Sequence, residues 1–252
     1  MASSLDDIAK LIKAMKPFKE IKAHINSDIV LQFDKDVNTV LDYAICYRDD
    51  EFIRDLITTY KLPLTFPSSM KHNPYIFHAY EHKKFDVLDV LLELGADPNE
   101  KDIGGIPLLV TAVTDGNMTV LNILLKYDKT NINVKTDESC NAAVYAAERN
   151  QIDALKLLIK HGINVNQKDS LNVTPLMHAA ISNNYECAKL LIENGAKINE
   201  QDNDGLTALN YALLGIENKS SRTCLEYLLD KGAVKYIKYD DIKHHTTINE
   251  KK

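Results

Sequence analysis

Asp169–Gln201 reads DSLNVTPLMHAAISNNYECAKLLIENGAKINEQ, and this stretch encodes two short helices and the turns that bound them. Thr174 stands where a helix needs a cap, its hydroxyl able to accept from a first-turn N–H that has no helical partner. Pro175 follows at the first helical position, where its missing N–H costs nothing. Ala179 and Ala180 are small enough for helices to approach closely. Cys187, Ala188, Leu190, Leu191 and Ile192 give a second helix an apolar face. Gly195 supplies the left-handed residue that ends it. Asn199–Gly205 is polar and turn-rich, as a hairpin leading to a further unit should be.

The pattern recurs at a period of about 33 residues. Thr136–Lys168 ends in ALKLLIKHGINVNQK, and Asp102–Lys135 opens DIGGIPLLVTAV. Thr174-Pro175-Leu176, Ala179-Ala180, Leu190-Leu191-Ile192, Gly195-Ala196 and Asn199 resemble the ankyrin-repeat consensus, with Met177 where that family usually has histidine. The resemblance implies an all-α repeat solenoid of helix-turn-helix units with short β-hairpin loops, about five to six repeats behind an N-terminal helical cap.

The flanks are weaker. Residues 202–238 form a C-terminal repeat and cap, with Gly205, Thr207, Ala208-Leu209, Leu228-Leu229 and Gly232-Ala233 in register and a longer loop near Ile216–Arg222. Units 136–168 and 102–135 precede the central one. Unit 69–101 closes clearly on Gly95-Ala96 and Asn99, but Pro74 sits one place early. Unit 34–68 is degenerate: Thr39, Leu41, Ala44, Phe52, Ile53, Leu56 and Ile57 fit, whereas its end, KLPLTFP, lacks Gly-Ala. Residues 1–33 read as a helical cap or half-repeat, with Ser4 capping a stripe of Leu5, Ile8, Leu11, Ile12 and Met15. Residues 232–238 are expected to cover the last interface and 239–252 to be a disordered tail.

The composition narrows the function. The 252 residues are 45% apolar and 26% charged, an ordinary globular balance. The net charge of −6 comes without a clustered basic stripe, which argues against nucleic-acid binding. No apolar run approaches the roughly 18 residues that span a bilayer, and Met1–Asp7 lacks the basic start of a secretory signal. Cys46, Cys140, Cys187 and Cys224 are dispersed with no CxxC pair, which fits reduced thiols in a cytoplasmic or nuclear protein. The excess of lysine over arginine, with frequent Asn and Ile, suggests an AT-rich gene.

His78-Ala79-Tyr80-Glu81-His82 has the HxxEH spacing of a zinc-peptidase helix. No third ligand accompanies it, and the reading favoured here is that His78 packs or hydrogen-bonds between repeats. Cys140 adjoins Asp137 and Glu138, whose charge would raise its thiol pKa and argues against a nucleophile. Asp49-Asp50-Glu51 reads as an acidic helix start. P-loop, GxSxG and GxGxxG motifs are missing, and neither a cofactor nor a metal site is expected.

Partners of ankyrin arrays dock on a concave face of hairpin tips and first helices. Carried onto this chain, that surface comprises Ile103, Gly104, Ile106, Thr114 and Asp115, then Asp137, Glu138, Cys140, Glu148 and Arg149. Ser170, Leu171, Val173, Ile181 and Ser182 continue it, followed by Asn203, Asp204, Leu206, Leu214 and Gly215. Leu171, Val173, Ile181, Leu206 and Leu214 would make an apolar patch, and Asp137, Glu138 and Glu148 an acidic neighbour for a basic segment. The expectation is a monomeric scaffold that binds another protein, as adaptor or stoichiometric inhibitor, without a nucleic-acid or membrane partner. The alternatives are a host-directed effector, secreted into a host cell, and a zinc enzyme built on HxxEH. Ser220-Ser221 is a candidate modification site in the long loop.

Overall fold

The computed structural model describes residues 4–26, 29, 32–34, 38–65, 73–216 and 222–234. The loop at 217–221 with Ser220-Ser221, the segment 235–238, the tail 239–252 and His244-His245 lie outside the described residues. Among the described residues there are fourteen α-helices and no strands. The chain divides into two compact units, Met1–Val134 and Lys135–Lys252.

The first unit holds α1 (Leu5–Lys13), α2 (Phe18–Lys22), α3 (Val40–Tyr47), α4 (Asp50–Tyr60), α5 (Tyr75–Glu81), α6 (Phe85–Glu93), α7 (Leu108–Thr114) and α8 (Met118–Leu125). Within it α1 packs on α3 and α3 on α5, while α4, α6 and α8 stack in a second layer. Its core is branched and large: Ile8, Ile12, Leu41, Ile45, Ile53, Leu56, Ile76, Leu88 and Leu91 are fully buried. Ser4 caps α1 and Asp7 returns a bond to its backbone, a capping box. Met15 departs from the expected apolar stripe. It lies beyond the end of α1 with positive φ and is exposed, because the helix stops at Lys13.

The second unit holds α9 (Ala142–Glu148), α10 (Ile152–Lys160), α11 (Pro175–Ile181), α12 (Tyr185–Glu193), α13 (Ala208–Ile216) and α14 (Thr223–Asp230). Here α9, α11 and α13 form one layer and α10, α12 and α14 the other. The first layer is lined with buried alanines, including Ala143, Ala146, Ala147, Ala179, Ala180 and Ala212, so its helices sit close together.

Three recurrent devices turn sequence into geometry. The first is the cap: Thr39 and Thr174 accept from the amide of the third helical residue, and Thr207 is bonded to Asn210 at that same position. Pro74 and Pro107 occupy the equivalent cap positions without a side-chain bond, which is why Pro74 reads one place early. The second is the turn at each hairpin tip. One carboxylate oxygen of Asp169 accepts from the amides of Leu171 and Val173, both at 2.8 Å. Asp102 does the same for Gly104 and Ile106, and Asp202 for Asp204 and Leu206. The same aspartates also span the tip through the backbone, Asp102 N donating to Ile106 O, Asp169 N to Val173 O and Asp202 N to Leu206 O. The expected β-hairpins are thus tight turns, each spanned by one such backbone bond, and among the described residues the one isolated bridge is Lys101 with Pro107.

The third device is the asparagine four residues after the helix-ending glycine. Asn166 donates to Gly195 O at 2.9 Å and accepts from Lys197 N at 2.8 Å. Asn99 bridges Lys129 O and Asn131 N, and Asn199 bridges Gly232 O and Val234 N in the same fashion. A carboxamide both donates and accepts, so one side chain ties each loop to the next; aspartate would lack the donor. Gly195 and its counterparts Gly95, Gly162 and Gly232 all have positive φ. In the degenerate unit Lys61 adopts the left-handed conformation after α4 instead.

Candidate protein-binding surface

In the second unit the hairpin tips are stitched to one another. Ser170 N donates to Glu138 O at 3.1 Å, and Asn203 N donates to Leu171 O at 3.0 Å. Three tips are thereby held in fixed register. Equivalent positions fall into two rows, one of Glu138, Leu171 and Asp204 at the tips, the other of Glu148, Ile181 and Leu214 near the ends of α9, α11 and α13.

Leu171 is 62% exposed, Leu214 43% and Ile181 38%, a large apolar exposure for side chains on ordered elements. Asp137, Glu138, Glu148 and Arg149 are exposed too, and Arg149 lies 3.9 Å from the Glu148 carboxylate. Ser170, Asn203 and Asp204 are exposed and Ser182 is half-buried. In the first unit Ile103 is 73% exposed and its N–H donates to Asn73 Oδ1 at 3.0 Å, whereas Ile106 and Thr114 are half-buried. Asp115 accepts from the Tyr80 hydroxyl, and burial, followed by that contact, raises the tyrosine pKa.

Several residues depart from the expected patch. Val173 is only 7% exposed: the turn closed by Asp169 directs it under the tip, so it belongs to the core. Leu206 is half-buried for the same reason, its amide held by Asp202. Cys140 is buried. Its thiol is pushed up to about 11, by burial first and then by Asp169 and Glu138. Gly215 is a buried contact, not a surface residue, because any β-carbon there would collide with the Ile181 carbonyl.

That close approach exposes a residue the repeat pattern did not flag. α13 runs two residues longer than α11 and its glycine lets it lie against the α11 terminus. Leu213 stands where α11 has the buried Ala180, yet is 38% exposed. The signal available in the sequence was Leu213-Leu214-Gly215, a large-large-small run in place of Ala180-Ile181-Ser182.

The HxxEH pair is divided between two neighbours on α3. His78 Nδ1 lies 2.9 Å from Asp42 Oδ1, and His82 Nε2 lies 3.1 Å from Cys46 Sγ. Burial and Asp42 raise the Cys46 thiol above its ordinary value. Among the described residues no group of three or more His, Cys, Asp or Glu side chains is arranged to hold a metal ion. Asp49 caps α4 by accepting from Phe52 N, with Asp50 and Glu51 in the first turn. No helix among the described residues is long and apolar enough to cross a membrane.

Stacked helix pairs, self-closed tips and asparagine bridges define a repeat protein whose surface is assembled from equivalent positions. Two family models match in overlapping stretches, ankyrin repeats (3 copies) over 76–169 and ankyrin repeats (many copies) over 158–212. The chain is an ankyrin-repeat protein, and such repeats are interaction modules that generally bind other proteins and typically lack enzymatic activity.

Curated relatives share part of this array. The chain is 30% identical over 93 residues to alpha-latroinsectotoxin-Lt1a of Latrodectus tredecimguttatus, covering 37% of the chain and 6% of the toxin. It is 30% identical over 135 residues to the nuclear factor NF-kappa-B p105 subunit of Rattus norvegicus, covering 51% of the chain and 14% of that protein. It is 25% identical over 122 residues to the human transient receptor potential cation channel subfamily A member 1, covering 48% of the chain and 11% of the channel. The chain therefore spans a small fraction of each relative's length.

Proposed function

We propose that this protein is a scaffold, acting as an adaptor or stoichiometric inhibitor, that binds a protein partner through the tips and first-helix ends of its second unit. The observation that carries this reading is the exposure of Leu171, Ile181 and Leu214 on stitched, capped elements. Apolar side chains held rigidly in water lose little conformational entropy when a partner covers them. Occupancy of the partner, without turnover, is the mode of action, and Glu138 and Glu148 beside the apolar residues suit a basic partner.

Affinity capture from a lysate of the source tests the proposal, comparing wild type with an Ile181→Asp, Leu214→Asp variant whose helical circular dichroism is unchanged. A partner held at one-to-one stoichiometry by the wild type and lost by the variant supports the reading. Equal retention by both removes the helix-end surface from consideration.

A further inference from the structure

We infer that the tip row of the second unit reads a partner segment in the polyproline II conformation that carries a basic residue, an apolar residue three positions on and a second basic residue three positions beyond that. This deepens the protein-binding reading above and rests on it.

Glu138, Leu171 and Asp204 occupy the same position in three successive tips, so the row presents acid, apolar and acid in order. The stitching bonds set its pitch. Passing from Glu138 to Leu171 crosses one backbone hydrogen bond to Ser170 and then one residue along the chain; passing from Leu171 to Asp204 crosses one bond to Asn203 and then one residue. Hydrogen-bonded backbones lie about 4.8 Å apart and adjacent Cα atoms about 3.8 Å, so each step is at most roughly 9 Å. Helices packed side by side give a comparable interval of about 8–10 Å. A chain in the polyproline II conformation advances about 3.1 Å per residue with three residues per turn, so residues three apart share a face and lie about 9 Å apart, matching one step.

The charge is open to a partner. Among the described residues neither Glu138 nor Asp204 forms an ion pair, whereas Glu148 at the start of the helix-end row already has Arg149 beside it. Leu171 between them is among the most exposed large apolar side chains of the described residues, on a tip that is pinned at both edges. Its apolar contact would supply the adhesion, and two flanking charges at a fixed spacing would supply register and orientation. Each tip is also closed by its own aspartate, or in the first tip by Thr136, which accepts from Cys140 N, so the row keeps its pitch when its side chains change.

Fluorescence anisotropy with three labelled heptapeptides and the full chain tests this. The first peptide has lysine at positions one and seven and leucine at four, with serine elsewhere. The second has the same composition with both lysines next to the leucine. The third has glutamate in place of lysine. The expected result is saturable binding of the first, at least tenfold weaker binding of the second, and loss of binding for the Leu171→Asp variant. A Glu138→Lys, Asp204→Lys variant should reverse the preference from the first peptide to the third. Equal binding of the first two peptides, indifference to Leu171→Asp, or no saturable binding of the first overturns the inference. If one of those outcomes coincides with partner capture that Ile181→Asp, Leu214→Asp still abolishes, the protein-binding reading stands and the tip row alone falls.

Discussion

Glu100→Gln should stabilise the protein at pH 8 several times more than at pH 5. Glu100 and Glu200 occupy the same place, one residue after the bridging asparagine, but their surroundings differ. Glu200 lies 2.7 Å from Lys168 and 3.3 Å from Lys197, and hydrogen bonds to those lysines hold its carboxyl below the ordinary value. At Glu100 the counterpart of Lys197 is Asp97, and the buried Oε2 has no hydrogen-bond partner among the described residues. Burial, and then Asp97, push this carboxyl from its ordinary 4.5 up to about 7. Because the folded value lies above the unfolded one, the folded state holds the proton more tightly. Stability is therefore complete below about pH 4.5, declines as pH rises to about 7 and is level beyond it.

The shift corresponds to at most roughly 3 kcal/mol. Glu100 is only half-buried, so solvent screening reduces this to about 1–2 kcal/mol. Glutamine keeps the shape and removes the charge. Urea unfolding followed by circular dichroism at both pH values measures the difference, with Glu200→Gln as a control expected to gain nothing at pH 8. A Glu100→Gln effect of the same size at pH 5 and pH 8 would refute the argument, because it could not come from ionisation.

Three further outcomes follow from the packing. Asn166→Ala removes the bonds to Gly195 O and from Lys197 N and should cost about 1–3 kcal/mol, with hydrogen exchange at the Lys197 amide accelerating; an unchanged exchange rate would show that the bridge is not holding that loop. Gly215→Ala should destabilise by about 1–3 kcal/mol, since the collision with the Ile181 carbonyl outweighs the roughly 1 kcal/mol by which alanine is the better helix former; a gain in stability on thermal unfolding would contradict the close approach. In a thiol-reagent titration of the native protein near pH 8, Cys46 should react first, because it is half-buried while Cys140, Cys187 and Cys224 are buried with thiols raised to about 11; simultaneous reaction of all four would mean the second unit opens readily.

The ankyrin fold was legible because its signals are local. Thr174 and Pro175 announce a helix start and Gly195 its stop, and each depends only on residues within the same turn. The asparagine position was visible, but not its purpose, since its partners lie in the following repeat. His78 was readable as an inter-repeat residue, whereas its partner Asp42 became apparent only once α5 was stacked on α3. The surface was less legible than the core. Aligning Val173 with tip positions suggested exposure, but the bond from its own amide to Asp169 turns it inward. Gly215 falls on the same register as the half-buried Ser182, and nothing local reveals that a longer α13 would press it against α11.

The self-closed tips separate what the protein recognises from what keeps it folded. Asp169 shapes its turn through backbone amides, and Ser170 and Leu171 enter the stitching bonds through their backbones as well. None of these bonds specifies the side chain at 170 or 171. Mutation at those sites is thus nearly free to explore new partners, while change at Asp169, Asn166 or Gly195 is met by loss of stability. An array built this way can shift its target by drift at a few exposed letters, with the grammar around them held constant.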